Sequence, residues 1–389
     1  MKLDHLNVDW NYPTNIKQGV GRIGELPNLC KDLGMKKPLV ITDPFLAQQH
    51  MVAKVLSNFN DHDMHCDIFS NIVGNPTEQN VKDGVAAFNH GNHDGVIAFG
   101  GGSAIDAAKS VALMVGQTLP LWHFEDKDDN WTRVNTSNMA QIIAVPTTSG
   151  TGSEVGRASV ITDVEAKVKR LIFHPNMLPS IVILDPELTL DLPAHLTAAT
   201  GMDAFSHALE AYCAQSYHPM AQGIALEAIR LIKDNLLKAT LDGQNLEARA
   251  HCMVASTMGA TAFQRGLGAM HALAHSLGAL YNCHHGLLNA ILMPYVLKAN
   301  RSEIEGRIRR LTRYIGLKDA CFDSFIAWVI TFRQQLSIPH TLSDIDITAK
   351  DACLIGKMAF KDPCAAGNPI PFSEKQYTDI FINALNGEI

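Results

Sequence analysis

The sequence lacks several features that would narrow its function at once. It has no C-x-x-C pair: the eight cysteines (30, 66, 213, 252, 283, 321, 353 and 364) are scattered along 389 residues. That spacing suits reduced thiols in a cytoplasmic protein and disfavours both a disulfide framework and a thiolate zinc site. No stretch approaches the ~18 uninterrupted apolar residues of a membrane span, so no membrane partner is expected. The N-terminal MKLDHLNVDWNYP has no apolar core of signal-peptide length, so no cleaved leader is expected either. There is no excess of basic residues; the net charge is −7, and nothing favours a phosphate backbone or a nucleic-acid partner. Low hydrophobicity is absent too, since apolar residues make up 47% of the chain, which excludes a disordered protein.

What is present in excess is histidine. There are 17, and eight of them lie between His195 and His285.

The pattern of apolar residues changes along the chain. Up to about residue 190, short Val- and Ile-rich runs bounded by Gly, Pro, Asp or Ser read as buried strands: KPLVITD (37–43), HCDIFS (65–70), DGVIAFG (94–100), QIIAVP (141–146) and SIVILD (180–185). Helical patterns such as 77–90 and 104–115 lie between them. Strand–helix alternation predicts a doubly wound α/β domain over 1–190, built on a parallel sheet. Beyond it, strand signals stop. Helical patterns at 198–214, 221–237, 246–263, 270–280, 287–299, 303–315 and 322–336, punctuated by Gly243, Gly266, Gly268, Pro294 and Pro339, predict an all-α domain over 191–389.

Two regions carry chemistry. In VIAFGGGSAIDAAKS a strand runs through Gly100, Gly101, Gly102 and Ser103 into a helix. Glycines let a backbone approach a phosphate, and a helix N-terminus offers it free N–H groups. This is not a G-x-G-x-x-G fingerprint, and a plain tight turn fits the same residues. Asp43, at the end of LVITD, can accept the ribose hydroxyls of an adenosine and would repel a 2′-phosphate; it can equally start the turn before Pro44. A second small-residue loop, 147–154, follows QIIAVP. In the helical half, Asp203 and His207 are four residues apart, as are His271 and His275, with His285 following. Four residues is about one helical turn, so each pair projects from one face. An N/O donor set without thiolate suits Fe²⁺, Zn²⁺ or another divalent first-row ion. Spacing alone leaves open which of His271 and His275 would ligate. His284 reads as neighbouring or solvated, and His195, His218 and His251 have no spaced partner.

These motifs in this order resemble the iron-containing (group III) alcohol dehydrogenases along nearly the whole chain. The stretches concerned are GGGSAIDAAK (100–109), PTTSGTGSEV (146–155), ILDPELT (183–189), TGMDAFSHALEAY (200–212), HALAHSLGALYNCHHGLLNAILMPYVL (271–297) and GNP (367–369). The resemblance implies a dinucleotide-binding N-terminal domain and a helical metal-binding domain. It carries the metal ligands over to Asp203, His207, His271 and His285, and a place near nicotinamide and substrate to His275. It carries cofactor contacts over to Asp43, Asn75, Gly101, Gly102, Ser103, Thr147, Thr148 and Lys169, with Asp43 favouring NAD over NADP. The activity implied is reversible hydride transfer between a small alcohol and NAD, with His275 relaying the proton, in a homodimer or larger homo-oligomer. A lyase similar to dehydroquinate synthase and a metal-dependent hydrolase are the alternatives; the first needs a basic cluster, the second leaves the glycine loop without a role. Two segments depart from the family pattern, QRGLGAM (264–270) and LWHFEDKDDNW (121–131). Both are candidates for the substrate pocket, and Arg265 is a candidate partner for a substrate carboxylate.

Overall fold

A computed structural model describes residues 8–10, 14–166 and 168–389; most of the N-terminal segment read for a leader lies outside the described residues. The chain divides into two compact units. One comprises the residues up to Thr148 together with Gly152–Asp191, the other Ser149–Thr151 together with Leu192–Ile389.

The first unit is α/β. Its strands are β1 (Val8–Trp10), β2 (Asn15–Gln18), β3 (Pro38–Ile41), β4 (Asp67–Phe69), β5 (Gly95–Gly100), β6 (Gln141–Pro146), β7 (Ala158–Asp163), β8 (Val168–Phe173) and β9 (Ile181–Leu184). Its helices are α1 (Leu26–Asp32), α2 (His50–Asp61), α3 (Glu78–Gly91) and α4 (Gly102–Met114). Seven strands form one sheet in the order β1-β2-β9-β6-β5-β3-β4, parallel throughout except for β1. The runs PLVI, GVIAFG and IVIL are buried along their whole length, as strands covered on both faces must be. The run at 65–70 is a correction: β4 is a half-buried edge strand of three residues, not a buried one. From β3 the chain steps to β4 on one side and then to β5 on the other. The order β4-β3-β5-β6-β9 therefore reverses direction between β3 and β5, and such a switch point is where open α/β sheets bind ligands.

A separate hairpin pairs β7 with β8. No continuous apolar run marks it. β7 alternates half-buried and buried residues, and β8 carries Lys169 and Arg170. The segment 121–131 packs along this hairpin: Asp126 N donates to Leu171 O, and Arg170 bonds Glu125 while its guanidinium lies over the Trp122 ring.

The second unit is helical among its described residues: α5 (Ala194–Cys213), α6 (Pro219–Leu241), α7 (Leu246–Ala262), α8 (Ala269–Tyr281), α9 (His285–Ala299), α10 (Arg301–Tyr314), α11 (Phe322–Gln335), α12 (Ala352–Lys361) and α13 (Glu374–Asn386). The last two lie beyond the helical patterns read from sequence, although the capping box Ser373–Gln376 is a helix-start signal. A single apolar cluster, rich in alanine where helices approach closely, joins these helices.

Pro294 does not break a helix as its type suggests; it lies inside α9. Proline there leaves the carbonyl of Ala290 without its helical donor. The buried Arg333 supplies one, donating Nη1 to Ala290 O at 2.9 Å and to Ile291 O at 2.7 Å. Burial lowers the Arg333 pKa to about 10, which still leaves the group charged at neutral pH.

Candidate metal centre and cofactor loop

The helical unit gathers the histidines. Asp203 and His207 share the buried face of α5, His271 lies in the first turn of α8, and His285 is the first residue of α9. One donor atom from each of the four lies within 4.8 Å of the others. Gly286 makes this approach possible. A Cβ there would stand 2.3 Å from Ala199 O and 2.9 Å from Asp203 Cβ, so only glycine lets the start of α9 press against α5.

The centre of the group is rich in acceptors. Asn289 Nδ2 lies 2.9 Å from Asp203 Oδ1, 3.2 Å from His271 Nε2 and 3.1 Å from His285 Nε2. With both rings bare at Nε2 these are three acceptors, and an amide nitrogen with two hydrogens cannot satisfy them all. The surplus of lone pairs in a buried place suits a cation, and the mixed Asp/His donor set can hold a divalent first-row ion. His207 fits the part. Burial, opposed by the Asp203 carboxylate, lowers its pKa to about 4, so the ring is neutral near pH 7. The His271 Nδ1–H faces Glu210 Oε2 at 2.7 Å, which turns Nε2 toward the group. Burial opposes protonation of His271, but the Glu210 carboxylate outweighs it and the pKa is raised.

Glu210 and Asn289 were not among the residues the sequence pattern marked. Glu210 follows His207 by one further turn on α5, and Asn289 follows His285 by one turn on α9, so the same periodicity contained both. Glu210 also accepts from Gly268 N and Met270 N, capping α8 where His271 sits. Asn368, of the GNP stretch, accepts from Ala269 N at 3.1 Å and shares two hydrogen bonds with Asn300.

The remaining histidines separate. His275 lies one turn after His271, stacks on the His285 ring and bonds Asp362 through Nδ1. His284 and His218 cap α9 and α6 by accepting from Leu287 N and Ala221 N. Arg265 is a further correction. It is buried, and its guanidinium donates to the carbonyls of Ala211, Tyr212 and Ser216, capping the C-terminus of α5. With Nε and Nη1 bound to backbone, the guanidinium serves first as a helix cap.

In the α/β unit, Asp43 and Gly100–Ser103 follow β3 and β5, the two strands that flank the switch point. Gly100 has φ +142°, Gly101 is the N-cap of α4, and no side chain caps that helix. A methyl group on Gly101 would meet Thr148 Cγ2 at 3.4 Å, an ordinary van der Waals contact, so the two loops lie side by side there. Thr147 N donates to Gly100 O, joining the two loops. Asn75, in the left-handed region at φ +57°, donates its N–H to Ser103 Oγ and accepts from Lys169 Nζ at 2.8 Å. Asn75, Ser103 and Lys169 are thus brought together, with Gly101, Gly102 and Thr148 beside them. Below, the buried Lys109 fastens the second loop by donating to the carbonyls of Ser153 and Gly156.

Residues 13–186 match the family description "iron-containing alcohol dehydrogenase" and residues 197–385 that family's C-terminal domain. The chain belongs to the iron-containing alcohol dehydrogenases. It is 36% identical to 4-hydroxybutyrate dehydrogenase of Cupriavidus necator, over 94% of this chain and 97% of that protein. It is 32% identical to NAD-dependent methanol dehydrogenase of Bacillus methanolicus, over the same shares. A crystal structure of a 1,3-propanediol oxidoreductase superimposes with a TM-score of 0.90 at 35% identity, covering 94% of this chain and 97% of that one. As an iron-type alcohol dehydrogenase the protein is an oxidoreductase acting on small alcohols, with the α/β-then-helical architecture expected of the family. No helix among the described residues is long and apolar enough to cross a membrane.

Proposed function

We propose that this alcohol dehydrogenase is NAD-dependent and requires a divalent metal, moving hydride reversibly between a primary alcohol, diol or hydroxy acid and nicotinamide. The observation that carries this reading is the convergence of buried Asp203, His207 and His271 and half-buried His285, with donor atoms within 4.8 Å of one another. Fe²⁺ is the ion the family description names, and the same donors accept Zn²⁺. Relatives named for 4-hydroxybutyrate, methanol and 1,3-propanediol favour short primary alcohols, including those with a second polar end. We further infer a cytoplasmic homodimer or larger homo-oligomer.

When bound, the metal supplies Lewis acidity at the substrate oxygen and the nicotinamide supplies the hydride acceptor. Asp203, His207, His271 and His285 hold the ion, with Glu210 fixing the His271 tautomer. His275 accepts the hydroxyl proton through Nε2, which has no hydrogen bond among the described residues. Gly101, Gly102 and Ser103 at the uncapped start of α4 receive the pyrophosphate, and Thr147, Thr148, Asn75 and Lys169 supply polar contacts around it. Asp43 accepts the adenosine ribose hydroxyls and repels a 2′-phosphate.

The test is His271→Ala, analysed for bound metal and for NAD reduction across primary alcohols, diols and hydroxy acids. The variant is expected to lose both metal and turnover. Retention of both would overturn the metal assignment.

A further inference from the structure

Two histidines one turn apart on α8 each meet a carboxylate through Nδ1. For His271 the partner is Glu210, at 2.7 Å. For His275 it is Asp362, with Nδ1 3.0 Å from Oδ2. Both members of the second pair are largely sheltered, with side-chain exposures of 18% and 14%. Asp362 is itself held rigidly. It ends α12, and its other oxygen, Oδ1, accepts from Cys364 N at 2.8 Å, opening the turn Pro363–Gly367. That turn leads directly to Asn368, whose Oδ1 accepts from Ala269 N at the start of α8. One short segment, 362–368, therefore grips both the N-terminus of α8 and the ring of His275.

An imidazole that donates Nδ1–H to a fixed carboxylate has a defined tautomer, with a bare Nε2 as the only acceptor. The His275 ring is also held flat against His285, at 18° and 5.2 Å between centroids. Its remaining freedom is rotation, which the Asp362 bond removes.

We propose that Asp362 is a positioning residue for proton transfer, holding His275 so that Nε2 is unprotonated and aimed to receive the substrate's hydroxyl proton. This rests on the reading of His275 as the proton acceptor. In the alcohol-to-carbonyl direction the substrate O–H bond breaks and an Nε2–H bond forms. The C–H bond gives its electron pair as hydride to the nicotinamide, and the proton on His275 passes on to solvent. Asp362 forms no bond with substrate; it faces the positive charge that His275 acquires in the transfer.

The test is a double-mutant cycle on the metal-loaded, full-length enzyme with Asp362→Asn, His275→Ala and the pair. The readings are kcat, KM for alcohol, metal content and NADH binding by fluorescence. Asp362→Asn is expected to lower kcat by about 10–100-fold, the range for partners that orient a reacting or ligating histidine, with KM, metal content and NADH affinity unchanged. In the His275→Ala background the same change is expected to have no further effect. A kcat within twofold of the parent for Asp362→Asn, or losses that multiply in the double variant, would overturn the positioning role. If His275→Ala itself keeps full kcat, the reading of His275 as proton acceptor fails as well, and the two failures are told apart. Should Asp362→Asn not fold, Asp362→Ser keeps a hydroxyl cap on the turn and gives the same readings.

Discussion

Asp43 has one structural part and one proposed part. Oδ1 accepts from Phe45 N and Leu46 N and builds the turn after β3, which is the plain structural part. The charge remains at the switch point, where a ribose would sit. Asp43→Asn separates the two, since an amide oxygen still caps the turn while the charge is gone. Removal of like-charge repulsion of about 1–4 kcal/mol at ~4 Å is expected to raise the NADP/NAD ratio of kcat/KM by at least about fivefold, measured with both cofactors on one alcohol. The histidines show how much of a site is legible at this scale. Periodicity grouped Asp203 with His207 and His271 with His275, but left His271 and His275 equivalent. The tertiary fold distinguishes them by their partners: Nε2 of His271 meets Asn289 beside Asp203 Oδ1, while Nδ1 of His275 turns to Asp362. Arg265 was legible as a charge near the site and illegible as a cap, because its carbonyl partners lie about fifty residues upstream.

At the scale of elements, the proposed metal site depends on three helices meeting closely, and small residues at the crossings allow it. Gly286 is the tightest point. Gly286→Ala places a methyl group against backbone and is expected to destabilise the protein by about 1–3 kcal/mol and to weaken metal binding by displacing His285. Urea unfolding and a metal titration check both. Gly223→Ala on α6, where an added Cβ meets nothing within 4 Å, is the control and is expected to be neutral or to stabilise by about 0.5–1 kcal/mol. The elements most easily read were those with one uninterrupted signal: the Val/Ile runs of β3, β5, β6 and β9, and the helices α5 to α11. The hairpin β7–β8 escaped because its alternation is shallow and its outer residues are charged; its pairing partner, not its own hydrophobicity, stabilises it. Pro294, named among the helix-punctuating residues, lies within the helical pattern 287–299 that α9 bears out, for a related reason. The carbonyl that proline strands is rescued by Arg333, from a helix that follows it in the chain.

At the scale of the molecule, each unit has its own apolar core and its own candidate ligand, so each ligand should stabilise mainly the unit that holds it. Metal at about 100 times its Kd adds about 2.7 kcal/mol to the state that binds it. Restoring metal to chelator-stripped protein is therefore expected to raise Tm by about 5–10 °C, with amide exchange slowing in α5, α8 and α9. NADH is expected to slow exchange around Gly100–Met114 instead. Uniform slowing by either ligand alone would show that the units do not respond separately. The α/β-then-helical order and the paired Asp and His are properties of local spacing, because glycine at a strand–helix junction and His at one-turn intervals act through the nearest few residues, while the order of several motifs along the chain carries the family and the choice of ligands. The sequence by itself determined those. The partners that turn such residues into a site were decided only by the tertiary structure: Glu210 and Asp362 behind two imidazoles, Asn289 among three acceptors, Asn368 at the start of α8, and Arg265 and Arg333 on stranded carbonyls. Hydrogen bonds and buried charges are satisfied by whichever group the fold brings within about 3 Å, and sequence distance carries no record of that.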